Sequence, residues 1–164
     1  MKNQKEHPTK YYSNRQESMI ADYLGWKVVS GSGSRAFNPG DVIAENYLGE
    51  CKTSEVESDR IIVIKSHLMK ICDEAMSVHK IPVLFVDNGT QRSDSTFCVL
   101  RYKGPAIKTF TGVKRSVQRF SFVLDDAEDF MRTNRGMFYI KIWDAEFIVY
   151  TLEAFKEHIE SIGW

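Results

Sequence analysis

The chain has few cysteines and prolines, no net charge and no long apolar run, and each scarcity excludes something. Three cysteines among 164 residues, Cys51, Cys72 and Cys98, are odd in number and far apart. With no CxxC pair and no Cys/His cluster, neither a disulfide framework nor a zinc site is indicated, and reduced core thiols in a cytoplasmic protein are expected. No stretch approaches the roughly 20 apolar residues of a membrane span, so no membrane partner is expected. The opening MKNQKEHPTK carries lysines without an apolar core, unlike a secretory signal. Ser30–Arg35, SGSGSR, lacks the spacing and terminal lysine of a phosphate-binding P-loop. Lys and Arg total 22 and Asp and Glu total 22, so the overall basic signature of a nucleic-acid binder is missing. There are no repeats, no low-complexity tracts and no domain boundary. A composition 43% hydrophobic and 27% charged therefore points to one globular domain over 1–164.

Charge is nevertheless unevenly spread. Asp41, Glu45, Glu50, Glu55, Glu57 and Asp59 face a single cation, Lys52, over residues 41–59. Arg101, Lys103, Lys108, Lys114, Arg115 and Arg119 follow with no acid between residues 101 and 119. This pattern suits a metal site beside a phosphate-binding surface, with Arg35, Lys114, Arg115 and Arg119 as DNA contacts. It equally suits mutual neutralisation within the fold.

Ser13 and Gln16 fit a capping box opening a helix that buries Met19, Ile20, Tyr23 and Leu24 and ends at Gly25. Glu17 falls on the edge of its core-facing stripe. Trp26–Val29 reads as a strand. A hairpin follows, with Asp41–Ala44 and Leu48–Thr53 as its arms. A turn centred on Asn46-Tyr47 would set Asp41 opposite Lys52 and Ile43 opposite Glu50. The apolar spacing from Ile61 to Val78 predicts one long helix ending near Lys80. Pro82–Val86 is apolar throughout, as in a central strand reached by a crossover and parallel to its partner. A strand at 96–102, a loop-rich basic segment, a strand at 120–124, a helix at 125–132, a hairpin at 138–150 and a helix capped by Thr151 complete the reading.

In the hairpin, Glu50 and Lys52 share a strand face and Cys51 points away. Two carboxylates and an ammonium at one sheet end are the groups needed for a divalent cation beside a water-activating lysine. Glu-Cys-Lys alone also suits a surface salt bridge. With Glu17 on the preceding helix, Asp41 opening the hairpin and Glu50-x-Lys52 on its return, residues 13–87 resemble the PD-(D/E)XK nuclease superfamily, within it the archaeal-type Holliday junction resolvases and their phage relatives. One departure is Gly40, which separates Pro39 from Asp41.

The resemblance implies an α/β restriction-endonuclease-like core over about 13–102, built as helix, three-strand antiparallel meander, helix and parallel strand. A mixed sheet and a C-terminal α+β extension over about 103–164 complete that expectation. It further implies a Mg²⁺ site (Mn²⁺ as substitute) formed by Asp41, Glu50, the Cys51 carbonyl and Glu17. Lys52 is implied as the water-orienting residue, and Ser32 or Ser34 as the hydroxyl near the scissile phosphate. The activity implied is cleavage of four-way DNA junctions by a homodimer, in the cytoplasm of a prokaryote or of a phage-infected host cell. The alternatives are another nuclease of the superfamily (restriction-like, repair or single-strand) and a non-catalytic DNA-binding module.

Overall fold

A computed structural model describes residues 7–29, 39–105 and 107–162; Ser32, Ser34 and Arg35 fall outside them. The first helix, α1 (Thr9–Leu24), starts earlier than its sequence suggests. Pro8, with φ −58°, stands where a proline costs no intrahelical hydrogen bond. Ser13 is therefore interior rather than a cap, and Gln16 is fully buried instead of reaching back along the helix. Gly25 ends α1 in the left-handed region at φ 73°.

Strands β1 (Lys27–Val28), β2 (Val42–Ile43) and β3 (Tyr47–Lys52) pair antiparallel in succession. The hairpin register differs from the expected one: Val42 faces Gly49 and Ile43 faces Leu48, not Glu50. The turn is centred one residue earlier, on Glu45-Asn46, with Ala44 N–H donating to Tyr47 O at 3.0 Å. Lys80 Nζ holds this turn by donating to the Ala44 carbonyl at 2.8 Å, an anchor supplied from far along the chain.

The expected long helix from Ile61 is also corrected. Residues 60–64 form strand β4 (Arg60–Ile64), and only then does α2 (Lys65–Ser77) begin. Ile61-Ile62-Val63-Ile64 is an unbroken β-branched run, which disfavours helix and suits a pleated strand. Ile61 and Val63 are buried while Ile62 is exposed, the alternation of a strand with one covered face.

β5 (Ile81–Val86) then lies parallel to β3, with Tyr47 opposite Ile81 and Lys52 opposite Val86. After a 3₁₀ turn at Ser93–Ser95 come β6 (Phe97–Arg101), β7 (Lys114–Arg115), β8 (Arg119–Val123), α3 (Leu124–Arg132), β9 (Met137–Ile142), β10 (Ala145–Thr151) and α4 (Leu152–Ser161). Thr151 caps α4 as its sequence predicts, its hydroxyl accepting from Ala154 N–H at 3.1 Å.

The main sheet is mixed and seven-stranded, in the order β1-β2-β3-β5-β6-β10-β9, and β4-β8-β7 form a separate antiparallel sheet. The second half of the chain is thus built into the main sheet through β6, β10 and β9. On one face, α1 and α4 enclose Trp26, Tyr47, Phe85 and Phe155, whose rings meet at 5.5–6.1 Å. The other face is covered by α2, α3 and the small sheet over Leu48, Leu84, Val99, Phe122 and Phe138. Each fully buried side chain of this size stabilises the fold by about 1.5–3 kcal/mol.

Candidate active site

The carboxylates gather where β2 begins and β3 ends, between α1 on one face of the sheet and α2 on the other. Asp41 lies one residue before β2 and is buried; its Oδ2 accepts the Cys51 N–H at 2.8 Å, and its own N–H donates to Gly49 O at 2.8 Å. It therefore sits beside Gly49–Cys51 rather than opposite Lys52. The approach is close because position 49 has no side chain. A Cβ there would lie 2.5 Å from the Phe85 ring and 2.7 Å from Val42, so a larger residue would force the strands around Glu50 apart.

Glu50 is buried with its carboxylate turned toward α2. Lys52 Nζ stands 3.3 Å away and Lys70 Nζ 3.2 Å away. Burial raises the Glu50 pKa, as does the charge of Asp41, while the two lysines oppose the rise. Two ammoniums are what make a nearly inaccessible carboxylate tolerable here. Glu17, half-buried on α1, is pushed up to about 7 by burial first, then by the charge of Asp41 and a hydrogen bond to it, with Glu50 adding to the effect. Glu17 therefore keeps its proton to a higher pH than an ordinary glutamate does.

The structure places Glu17, Asp41 and Glu50 near enough for their charges to interact, with Cys51 bonded to Asp41 and Lys52 paired with Glu50. Lys114 and Arg115 on β7 and Arg119 on β8 belong to the small sheet, exposed and outside the carboxylate cluster. Arg101, Lys103 and Lys108 are also exposed, but none is on that sheet. The basic stretch is thus divided between the small sheet, the end of β6 and the loop after it. Cys51 and Cys98 are buried and Cys72 is half-buried, all three free thiols.

Four side chains at the site, Gln16, His67, Lys70 and Glu74, were not read from the sequence as part of it. Gln16 donates its amide to the Lys52 carbonyl at 2.7 Å, fixing the backbone beneath the lysine, while its Oε1 is buried without a hydrogen-bond partner. Lys70 reaches Glu50 from α2 and also pairs with Glu74 at 3.6 Å. Glu74 in turn accepts the Gly40 N–H at 3.0 Å, tying α2 to the residue before Asp41. His67, one turn before Lys70, has its pKa lowered by burial and then by the charges of Lys52 and Lys70, which puts the first turn of α2 alongside the site. The Lys70–Glu74 spacing is legible as a helical ion pair. Nothing in that spacing says it faces Glu50.

The donor set, carboxylate and carbonyl oxygens, is of the type that a hard divalent cation takes. Among the described residues no three His, Cys, Asp or Glu side chains form a ready-made metal cluster. Glu50 is directed at its two lysines, and Asp41 is engaged by the Cys51 amide and by Glu17. A depression of about 300 Å³, lined by Ile107, Lys108, Asn134, Arg135 and Met137, lies beside β9 at the opposite edge of the main sheet. Among the described residues no helix is long and apolar enough to cross a membrane.

No protein-family model, no curated protein and no solved structure matches the chain.

Proposed function

We propose that this protein is a divalent-metal-dependent DNA endonuclease that acts on branched DNA, four-way junctions above all. The observation that carries the reading is the meeting of Glu17, Asp41 and Glu50, from α1 and the β2–β3 hairpin, with Lys52 at 3.3 Å from Glu50. Asp41, Glu50, the Cys51 carbonyl and Glu17 would hold Mg²⁺, with Mn²⁺ as a substitute. That ion supplies charge neutralisation on the non-bridging phosphate oxygens and a more acidic bound water.

The chain's own groups do the rest. Lys52, about one-third exposed, is accessible enough to meet a phosphate and orient the attacking water. Gln16 keeps the Lys52 backbone in place. Lys70, its side chain half-exposed, brings a second ammonium to the same carboxylate and to the charge that builds in the transition state. Binding along the duplex is left to Lys114, Arg115 and Arg119, with Arg35 on the segment before Asp41. The protein works as a homodimer, because a four-way junction needs two opposed cuts and each protomer brings one acidic site. Its setting is the cytoplasm of a prokaryote or of a phage-infected cell.

The test is a labelled four-way junction and a matched duplex, each incubated with the protein in Mg²⁺ or EDTA. Metal-dependent cuts are expected, strongly favouring the junction. Asp41→Asn, Glu50→Gln and Lys52→Ala should each abolish cutting by at least about a hundredfold while binding persists. Equal cutting of duplex and junction would favour a nuclease of broader substrate range, and binding without any cutting would leave a DNA-binding module.

A further inference from the structure

The turn joining β7 to β8 is the most exposed apolar point among the large side chains described. Val117 at its tip is 79% exposed, in a stretch whose charged residues are all basic. The turn is also held from every side. Ser116 N–H donates to Arg119 O at 2.9 Å, and the Ser116 hydroxyl accepts from Arg119 N–H at 3.1 Å. Trp143 Nε1 donates to the Ser116 carbonyl at 2.9 Å, and the N–H of Lys65, the first residue of α2, donates to Gln118 O at 2.8 Å. The Arg115 guanidinium donates to the Lys141 carbonyl. An apolar side chain presented to water on a braced turn, with Lys65, Lys114, Arg115 and Arg119 around it, is complementary to a polyanion with exposed apolar faces. Nucleic acid with unstacked bases has that character.

The turn is tied to the carboxylates through α2, whose Lys65 N–H holds Gln118 and whose Lys70 reaches Glu50. Lys65 and Lys70 are five residues apart on α2, about 7.5 Å along the helix axis.

We propose that the β7–β8 turn is a branch-sensing wedge. Lys114, Arg115 and Arg119 grip phosphates on either side, and Val117 enters the opened base step at a junction or other discontinuity. This rests on the nuclease reading for its purpose, since the wedge sets which phosphate reaches the acidic site. A matched duplex, fully stacked, gives Val117 nowhere to enter, so the wedge supplies preference for branched DNA without reading sequence.

The experiment uses the full chain and a four-way junction carrying 2-aminopurine at the branch, a base whose fluorescence rises when it unstacks. It is done in EDTA so that the DNA stays intact. Wild-type protein should raise the fluorescence several-fold at the branch and not in matched duplex. Val117→Ser, at a position too exposed to affect folding, should lose most of that rise with its junction affinity largely retained. An undiminished rise with Val117→Ser, or no rise with the wild type at saturating protein, overturns the wedge. Parallel incubations with Mg²⁺ separate the two readings. Protein that unstacks the branch through Val117 but never cuts refutes the nuclease and leaves the wedge standing. Protein that cuts the junction with the same preference and unstacking in the Val117→Ser variant refutes the wedge alone.

Discussion

Glu17 offers the most direct electrostatic test of the site. Its pKa of about 7 lies above the usual 4.5, so the folded protein holds a proton that the unfolded chain has released between those values. The stability linked to that proton is fully present below pH 4.5 and is lost as the pH rises through 7. Discounted for half-exposure, the loss comes to about 1 kcal/mol. In EDTA the melting temperature should therefore fall between pH 5 and pH 8. Glu17→Gln should flatten that slope and raise the melting temperature at pH 8 by roughly 2–4 °C. A slope unchanged by the substitution would place the proton elsewhere. Lys70 makes a second test, because its ammonium and a cation compete for the same Glu50 oxygens. A half-exposed ion pair contributes about 0.2–1 kcal/mol, so Lys70→Ala should lower the Mg²⁺ midpoint up to about fivefold. The midpoint is read from the thermal upshift in a Mg²⁺ titration; a raised or unchanged value would remove Lys70 from the cation's surroundings.

At the scale of elements, the small sheet is the candidate source of electrostatic affinity. Each phosphate contact adds about −0.9 to the slope of log K against log salt, so neutralising Lys114 and Arg115 together should flatten it by roughly two units. A constant slope would move the DNA surface to another part of the chain. The same elements mark what could be read from sequence and what could not. The central strand at 81–86, the hairpin bearing Glu50-x-Lys52 and the Thr151-capped helix all rest on local signals, namely apolar runs, alternation and a capping hydroxyl. β4 escaped because Ile61, Ile64 and Leu68 also fit a helical period; the β-branched run was the deciding signal. The hairpin register escaped because its turn is held by Lys80, more than thirty residues away. Gln16, Lys70 and Glu74 escaped for a related reason. Their roles come from how α1 and α2 pack across the sheet, which no local spacing records.

At the scale of the whole molecule, the strand aromatics of the β9–β10 hairpin are consumed by the core, and only Trp143 at its turn is half-buried. Phe138 and Phe147 are fully buried, and Tyr139 and Tyr150 nearly so, which rules them out as a broad dimer contact. The exposed apolar side chains Met76, Val78 and Ile81, where α2 hands over to β5, are the better surface for it. Light scattering should give a dimer at micromolar concentration, and Met76→Asp combined with Ile81→Asp should give a monomer. A monomeric wild type, with or without junction DNA, would reduce the proposal to a single-cut enzyme. The layering of the main sheet also has a consequence in time. The acidic cluster draws on residues up to Glu74, and β5 closes its sheet by Val86. α1, which carries Glu17, packs in a layer shared with Phe155 and Ile159, and Tyr23 lies under Lys156 at 5.0 Å. At about 5–20 residues per second, a ribosome emits residues 87–161 over roughly 4–15 s. Throughout that interval the nascent chain has its acids and lysines but lacks the clamp on α1, so the carboxylate cluster is complete only after α4 has been made.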